Sequence, residues 1–398
     1  MNPSNHPVTD LVKIYVDYWE ASSLKKKGFE VIDEANNMPL PYQIRQDSRG
    51  IEVYVLIRLA PGEQKRLSIR IGAEHMLQGA TASSFQRTGT DGMTDIKEPP
   101  AGVGNVTSDP ISITETSVET PFIKIVWKEK EGVVSVFDKK EKRELVRTDW
   151  QYAAFTPIYE VTPAGSADNM MQVRKNMGRN RKGLNVKRTA GNLVGVKGVE
   201  QGDHFATVEL LYELTGTSYC SLFLTAYAGM PRIDVAVRMH KDSVWDPENV
   251  FVSLPFEIRT DAEPAQLWLQ KYGFLLRPGK DQLPGSLIDF YTIEEGVAYS
   301  SGQYGLAIAM PDTPLVQLGS LEFGERLLNG QQEADLAHAH LYSWVMTNYW
   351  ETNFKATMGG FYEFNYRLSW GSELASEEAG LQRCRDMNDG LVCFRLKE

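Results

Sequence analysis

Apolar and polar residues alternate along this chain with a period of two. Leu11-Val12-Lys13-Ile14-Tyr15-Val16, Ile51-Glu52-Val53-Tyr54-Val55-Leu56-Ile57 and Arg66-Leu67-Ser68-Ile69-Arg70-Ile71 each send one set of side chains to one face and the other set to the opposite face. That is the pattern of antiparallel strands buried on one side. Ala60-Pro61-Gly62-Glu63 supplies a turn between the last two. Residues 1–85 therefore read as a small β-sandwich.

Residues 86–118 break the pattern. Gly, Thr, Asp, Pro and Ser dominate, and Pro99-Pro100 and Gly102-Val103-Gly104 lie inside. Such a stretch buries too little apolar surface to order itself cheaply, so it reads as a linker or long loop. From Glu119 the strands are longer and more aromatic. Phe122-Ile123-Lys124-Ile125-Val126-Trp127 leads to Gly132-Val133-Val134-Ser135-Val136-Phe137, with Asp138-Lys139-Lys140 as a turn. Further strands are expected over 206–212, 220–227, 233–240, 250–258, 305–310 and 361–368, and one short helix over 376–386. Many strands joined by Gly and Pro turns predict an all-β chain, with one large sandwich over 119–398.

Composition narrows the partners. A net charge of −10 argues against nucleic acid or an anionic membrane, which are bound through excess Lys and Arg. No apolar run is long enough to span a bilayer. The opening MNPSNHPVTD has no basic segment followed by an apolar run, so a cytoplasmic protein is expected. Cys220, Cys384 and Cys393 are too few and scattered for a disulfide framework and are expected as reduced thiols.

Four blocks carry a family resemblance. Residues 342–370 contain Asn348, Trp350, Thr352, Asn353 and Phe354, followed by Gly359-Gly360. This stretch resembles the end of the β-rich C-terminal half of the glycoside hydrolase family 38 α-mannosidases. Residues 119–146 resemble the start of that family's large sandwich through Gly132, Val136, Phe137, Asp138, Lys139 and Glu144, with Ser135 close to the expected place of a serine. Pro231-Arg232-Ile233-Asp234, then Trp245 and Leu254-Pro255-Phe256, resemble a further block. Asn2-Pro3 with Pro7-Val8-Thr9 resembles the point where the family's chain leaves its helical middle region.

The resemblance implies a small β-sandwich followed by a large supersandwich related to galactose mutarotase. For the complete enzyme it implies retaining hydrolysis of α-mannosides by two carboxylates, with a divalent metal, usually zinc, gripping the sugar. The family's His-x-Asp metal motif, nucleophile segment and later His ligand are not found in this sequence. No catalytic or metal residue and no cofactor is therefore implied for this chain. The implied partners are the family's N-terminal catalytic domain and a mannoside, with a homodimer through the docking face as an alternative.

In the family, a Tyr and a basic residue of the large sandwich reach toward the cleft. By that resemblance Tyr159 and Arg277 fall at roughly the corresponding places. Asp289, Tyr291 and Glu295, in Asp289-Phe290-Tyr291-Thr292-Ile293-Glu294-Glu295, read either as a sugar-facing loop or as a solvated strand connection. His338-Ala339-His340 would put two imidazoles on one face of a strand, with Asp335 as a third metal ligand; a polar strand edge is the favoured alternative. Tyr342, Trp344, Tyr349, Trp350, Tyr362 and Trp370 read as core between sheets rather than as a lectin groove. The basic run Met177–Gly183 reads as a phosphate loop, a docking loop or, most simply, a solvated one. Two other functions stay open. One is a free-standing carbohydrate-binding module using Trp245, Tyr272 or Tyr291. The other is a mutarotase-like epimerase or lyase using His240 and Glu257.

Overall fold

The computed structural model describes residues 1–72, 110–165, 169, 171–172, 185–259, 265–322, 327–330, 336, 338–348 and 357–396. The first strand, Val8–Asp17, pairs along its whole length with Gly50–Leu59, which also pairs with Tyr42–Asp47. A second three-stranded sheet holds Met38–Leu40, Phe29–Asp33 and Leu67–Ile71. The alternation explains the core: Val12, Val16, Val53, Val55 and Ile57 meet Phe29 and Val31 from the second sheet.

A helix, Tyr18–Lys27, joins the two sheets of this unit, and the sequence did not announce it. It buries only Ala21 and Leu24, so its apolar stripe is too thin to read as amphipathic. Its start is nevertheless well made, because the Asp17 carboxylate accepts the Trp19 and Glu20 amides.

Of the expected linker, residues up to 109 lie outside the described ones; Ser112–Ile113 and Ser117–Glu119 are already strands. They begin a five-stranded sheet that runs on through Ile123–Lys128, Gly132–Asp138 and Arg143–Glu144. Two larger antiparallel sheets follow. The six-stranded one orders Lys187–Ala190, Pro157–Val161, Glu248–Leu254, Leu341–Thr347, Leu315–Leu318 and Phe290–Thr292. The nine-stranded one runs Asn192–Gln201, Phe205–Glu213, Thr217–Tyr227, Arg232–Lys241, Gly360–Gly371, Gly305–Ala309, Gly296–Ser300, Gln266–Lys271 and Phe274–Leu276.

One core lies between these sheets. Val250, Val252, Leu254 and Leu341 of the six-stranded sheet belong to the same cluster as Leu222, Val235, Ile308 and Tyr366 of the nine-stranded one. The five-stranded sheet adds Ile123, Ile125, Trp127 and Val136 to it. This is two-layer sheet packing, and the chain is all-β as expected.

The helix Glu377–Asp389, expected over 376–386, is capped by Ser376 and covers the far face of the nine-stranded sheet. Leu374, Cys384 and Met387 pack there on Ala307 and Ala309. Cys220 and Cys384 are buried free thiols, and Cys393 is an exposed one. Among the described residues no helix is long and apolar enough to cross a membrane.

Candidate functional site

Tyr159 lies on Pro157–Val161, beside Glu248–Leu254 in the six-stranded sheet. Its hydroxyl donates to Glu248 Oε2 at 2.6 Å. Lys241 Nζ, from the end of a strand in the opposite sheet, lies 2.7 Å from the same oxygen. That ammonium also donates to the Asp242 carbonyl at 2.9 Å and sits 4.9 Å from the centre of the Tyr159 ring. All three side chains are buried.

Burial, the bond to Glu248 and the charge of Glu248 all push the Tyr159 phenol well above its ordinary value, so it keeps its proton. Burial also raises the Glu248 carboxyl, against the pull of Lys241 and Tyr159. Glu248 Oε1 is buried with no hydrogen-bond partner among the described residues. Gly216 closes the cluster from below: a Cβ there would stand 2.9 Å from the Tyr159 ring.

This cluster supports a surface loop. Asn348 accepts the Glu248 amide at 2.7 Å and donates to the Asp246 carbonyl at 3.0 Å. Asp246 in turn accepts the Ala164 amide at 3.1 Å. Between these fixed points Trp245 is 47% exposed. A buried Lys–Glu–Tyr group has no room for substrate. Its chemistry is positional: it fixes the backbone on either side of an exposed indole. Asn348 also opens the family-like aromatic motif; Trp350, Thr352, Asn353 and Phe354 lie outside the described residues.

The other sequence candidates among the described residues sit elsewhere, and no hydrogen bond or ion pair links Tyr159 to any of those. Arg277 forks onto Asp281, with Nη2 at 2.6 Å and Nε at 3.0 Å, and lies 5.5 Å from the Trp268 ring centre. That fork holds the Asp281 carboxyl below the usual carboxylate range. Asp289 is buried and accepts the Leu327 amide at 3.1 Å. Tyr291 is buried in the main core, where its hydroxyl donates to Gln282 at 2.7 Å. Glu295 accepts from Asn388 at 2.9 Å and lies 3.8 Å from Arg385, which ties it to the C-terminal helix.

The histidine pair is not on a strand, since Leu341–Thr347 begins only after it; the same-face spacing argument therefore does not apply. His340 stacks on Tyr342 at 4.1 Å and shares a 2.9 Å hydrogen bond with Ser253. Burial and the nearby Arg147 guanidinium lower its pKa to about 3, so it is neutral at pH 7. Asp335 lies outside the described residues, as does the basic run Met177–Gly183. Among the described residues no three His, Cys, Asp or Glu side chains converge as metal ligands.

His240 is exposed and bonded to Ser218, whereas Glu257 pairs with Arg259. No bond joins His240 to Glu257. Trp370, Tyr342 and Trp344 are buried, Tyr362 is partly buried against the main core, and Tyr349 and Trp350 lie outside the described residues. Tyr272 is 80% exposed and Phe274 75% exposed at a hairpin tip, so of the three proposed platform residues only Tyr291 is buried.

The family-like blocks have a structural meaning. Glu144 accepts the Ser135 hydroxyl at 2.6 Å and the Val136 amide at 2.8 Å, closing the first hairpin. Asp138 accepts the Tyr304 hydroxyl at 2.8 Å, and Lys139 pairs with Glu119 at 2.7 Å. Arg232 grips Asp234 on its own strand and Asp10 of the small unit. Asn2 donates to the carbonyls of His6, Leu59 and Ala60. Lys241 and Glu248 escaped sequence reasoning. They are seven positions apart and carry opposite charges, a signal too common to single out.

Residues 118–312 match the family model of the Glycosyl hydrolases family 38 C-terminal domain. The structure resembles an α-mannosidase from Enterococcus faecalis V583 with a TM-score of 0.58 at 11% identity, covering 97% of this chain and 44% of that one. A second glycosyl hydrolase family 38 protein from Enterococcus faecalis gives 0.54 at 9% identity, covering 97% and 45%. A galactose mutarotase related enzyme from Lactobacillus acidophilus gives 0.36 at 10% identity, covering 66% and 99%. No curated protein matches the chain in sequence. The chain spans less than half the length of the two glycosidases. Identities this low show a shared fold alone, whereas the family match is one of sequence. Through residues 118–312 the chain belongs to the glycosyl hydrolase family 38 C-terminal domain family.

Proposed function

We propose that this chain is the C-terminal region of an α-mannosidase-type retaining glycoside hydrolase and completes the cleft of a catalytic domain. The observation that carries the reading is the pair of coverages: 97% of this chain corresponds to only 44% of an α-mannosidase. The remainder of such an enzyme would supply nucleophile, acid/base carboxylate and zinc. The described residues do not fit a zinc site, because His340 is buried and bonded to Ser253 and no third ligand converges on it. In this reading Tyr159, Lys241 and Glu248 hold the Trp245 loop against the cleft. Trp19, 83% exposed, and Tyr18, 63% exposed, are apolar surface available for docking the catalytic half or, without it, a second copy of this chain.

The test is turnover of p-nitrophenyl α-mannoside by this chain, with and without zinc, and again after adding the catalytic domain produced separately. Activity that requires the mixture is expected. Turnover by this chain alone, insensitive to a chelator, would sink the reading.

One observation favours a second reading. Tyr272 and Phe274, on either side of Gly273, are exposed rings at the tip of a hairpin, as sugar-stacking rings are. A carbohydrate-binding module would retain on a mannan column without any partner, and lose retention when both rings are removed.

A further inference from the structure

The small unit, the nine-stranded sheet and the C-terminal helix meet around a crevice of about 420 Å³, within the range of small-molecule sites. Its charged lining is Asp10, Arg58, Arg232, Glu373, Arg383 and Asp386. Asp10 and Arg58 come from the paired strands Val8–Asp17 and Gly50–Leu59. Arg232 begins Arg232–Lys241, and Arg383 and Asp386 come from the helix Glu377–Asp389.

Half of these charges are already committed. Arg232 donates Nη1 to Asp10 at 2.9 Å, and Nε and Nη2 to Asp234 at 2.6 and 2.8 Å. Asp386 lies 2.6 Å from His6 Nε2 and accepts from Gln382 at 3.1 Å. The other half are not. Among the described residues Arg383 makes one hydrogen bond, from Nη1 to the Ser369 hydroxyl at 3.0 Å, and no ion pair. Arg58 and Glu373 make neither a side-chain hydrogen bond nor an ion pair among the described residues. The uncommitted groups are two guanidiniums and one carboxylate, plus two N–H groups that Arg232 still has to offer. That balance favours an anion, and the guanidinium fork suits a carboxylate or phosphate.

We propose that this crevice binds a small organic anion of about monosaccharide size. Arg58 and Arg383 take its carboxylate or phosphate. Its hydroxyls bond to Glu373 and the spare N–H groups of Arg232. Such a ligand would bridge all three elements of the junction. The inference stands apart from the mannosidase reading, since it uses no residue of that cleft.

Calorimetric titration of the whole chain tests it with four probes: glucose 6-phosphate, glucuronate, inorganic phosphate and glucose. At least one of the two sugar anions is expected to bind more tightly than both inorganic phosphate and glucose, and which one binds identifies the acid group. Arg58→Gln and Arg383→Gln are each expected to weaken that binding about tenfold or more, the usual effect of losing a charge-assisted hydrogen bond. Arg49→Gln removes the same charge from an exposed turn outside the crevice and should leave affinity unchanged. The proposal is overturned if neither sugar anion binds at about 10 mM. It is also overturned if inorganic phosphate binds as well as the better sugar anion, or if the double variant R58Q/R383Q binds like the parent.

Discussion

Lys241 and Glu248 form an ion pair that water does not reach: Nζ and Oε2 are 2.7 Å apart, and neither side chain is exposed. They join the two large sheets, since Lys241 ends a strand of one and Glu248 begins a strand of the other. Removing one member of such a pair leaves a charge buried alone. Lys241→Met is expected to cost about 3–5 kcal/mol in urea unfolding. The double variant Lys241→Met with Glu248→Gln leaves no unpaired charge and should recover part of that loss. A double variant as unstable as the sum of both single changes would show that the two groups act independently.

Gly216 makes a second test of the same cluster. Its φ of +78° disfavours any L side chain, and its missing Cβ is where the Tyr159 ring lies. Gly216→Ala should destabilise by about 1–3 kcal/mol, the usual cost of backbone strain plus overpacking. Adding Tyr159→Leu relieves the clash but also removes the hydroxyl that donates to buried Glu248, so the double variant should stay well below the parent in stability. The fluorescence difference between each protein and its Trp245→Phe counterpart isolates Trp245 from the other tryptophans and reports whether the loop above has moved.

The strands were legible because burial on one face writes itself into alternation. The expected 206–212 and 233–240 became Phe205–Glu213 and Arg232–Lys241. The same alternation holds within the sugar-facing candidate. Phe290 and Thr292 flank Tyr291, so a strand there turns Tyr291 to the opposite face, and it lies in the main core. Arg277 and Asp281, four residues apart, also satisfy each other locally. The Tyr159 cluster could not be read, because its partners lie 82 and 89 positions away, by subtraction of the residue numbers, and are united only by sheet order.

The hairpin tip separates two functions. Tyr272 and Phe274 are 80% and 75% exposed, so replacing both with Ala should change stability by no more than about 0.5 kcal/mol. If the rings stack on sugar, retention on mannan falls while the thermal midpoint stays put. If they have no sugar role, retention is unchanged. The same variant mixed with the catalytic domain tells whether the tip contributes to mannoside turnover.

His340 gives the fold a pH dependence of definite sign. Burial first, and the Arg147 charge second, bring its pKa down to about 3, whereas an unfolded chain has it near 6.5. Between those two values the unfolded state binds a proton that the folded state refuses. Stability therefore falls as pH drops from about 6.5 toward 3, by roughly 1.4 kcal/mol per unit, and is fully present only above 6.5. His340→Phe keeps the stack on Tyr342, and the Ser253 hydroxyl still has the Tyr152 carbonyl at 2.8 Å to donate to. In that variant the difference in urea stability between pH 7 and pH 5 should shrink by about 2 kcal/mol. His204, which burial also lowers, remains in both proteins and cancels from the comparison. An unchanged pH difference would mean that His340 gains a proton in the folded state as readily as in the unfolded one, and that its contacts with Ser253 and Tyr342 open in solution.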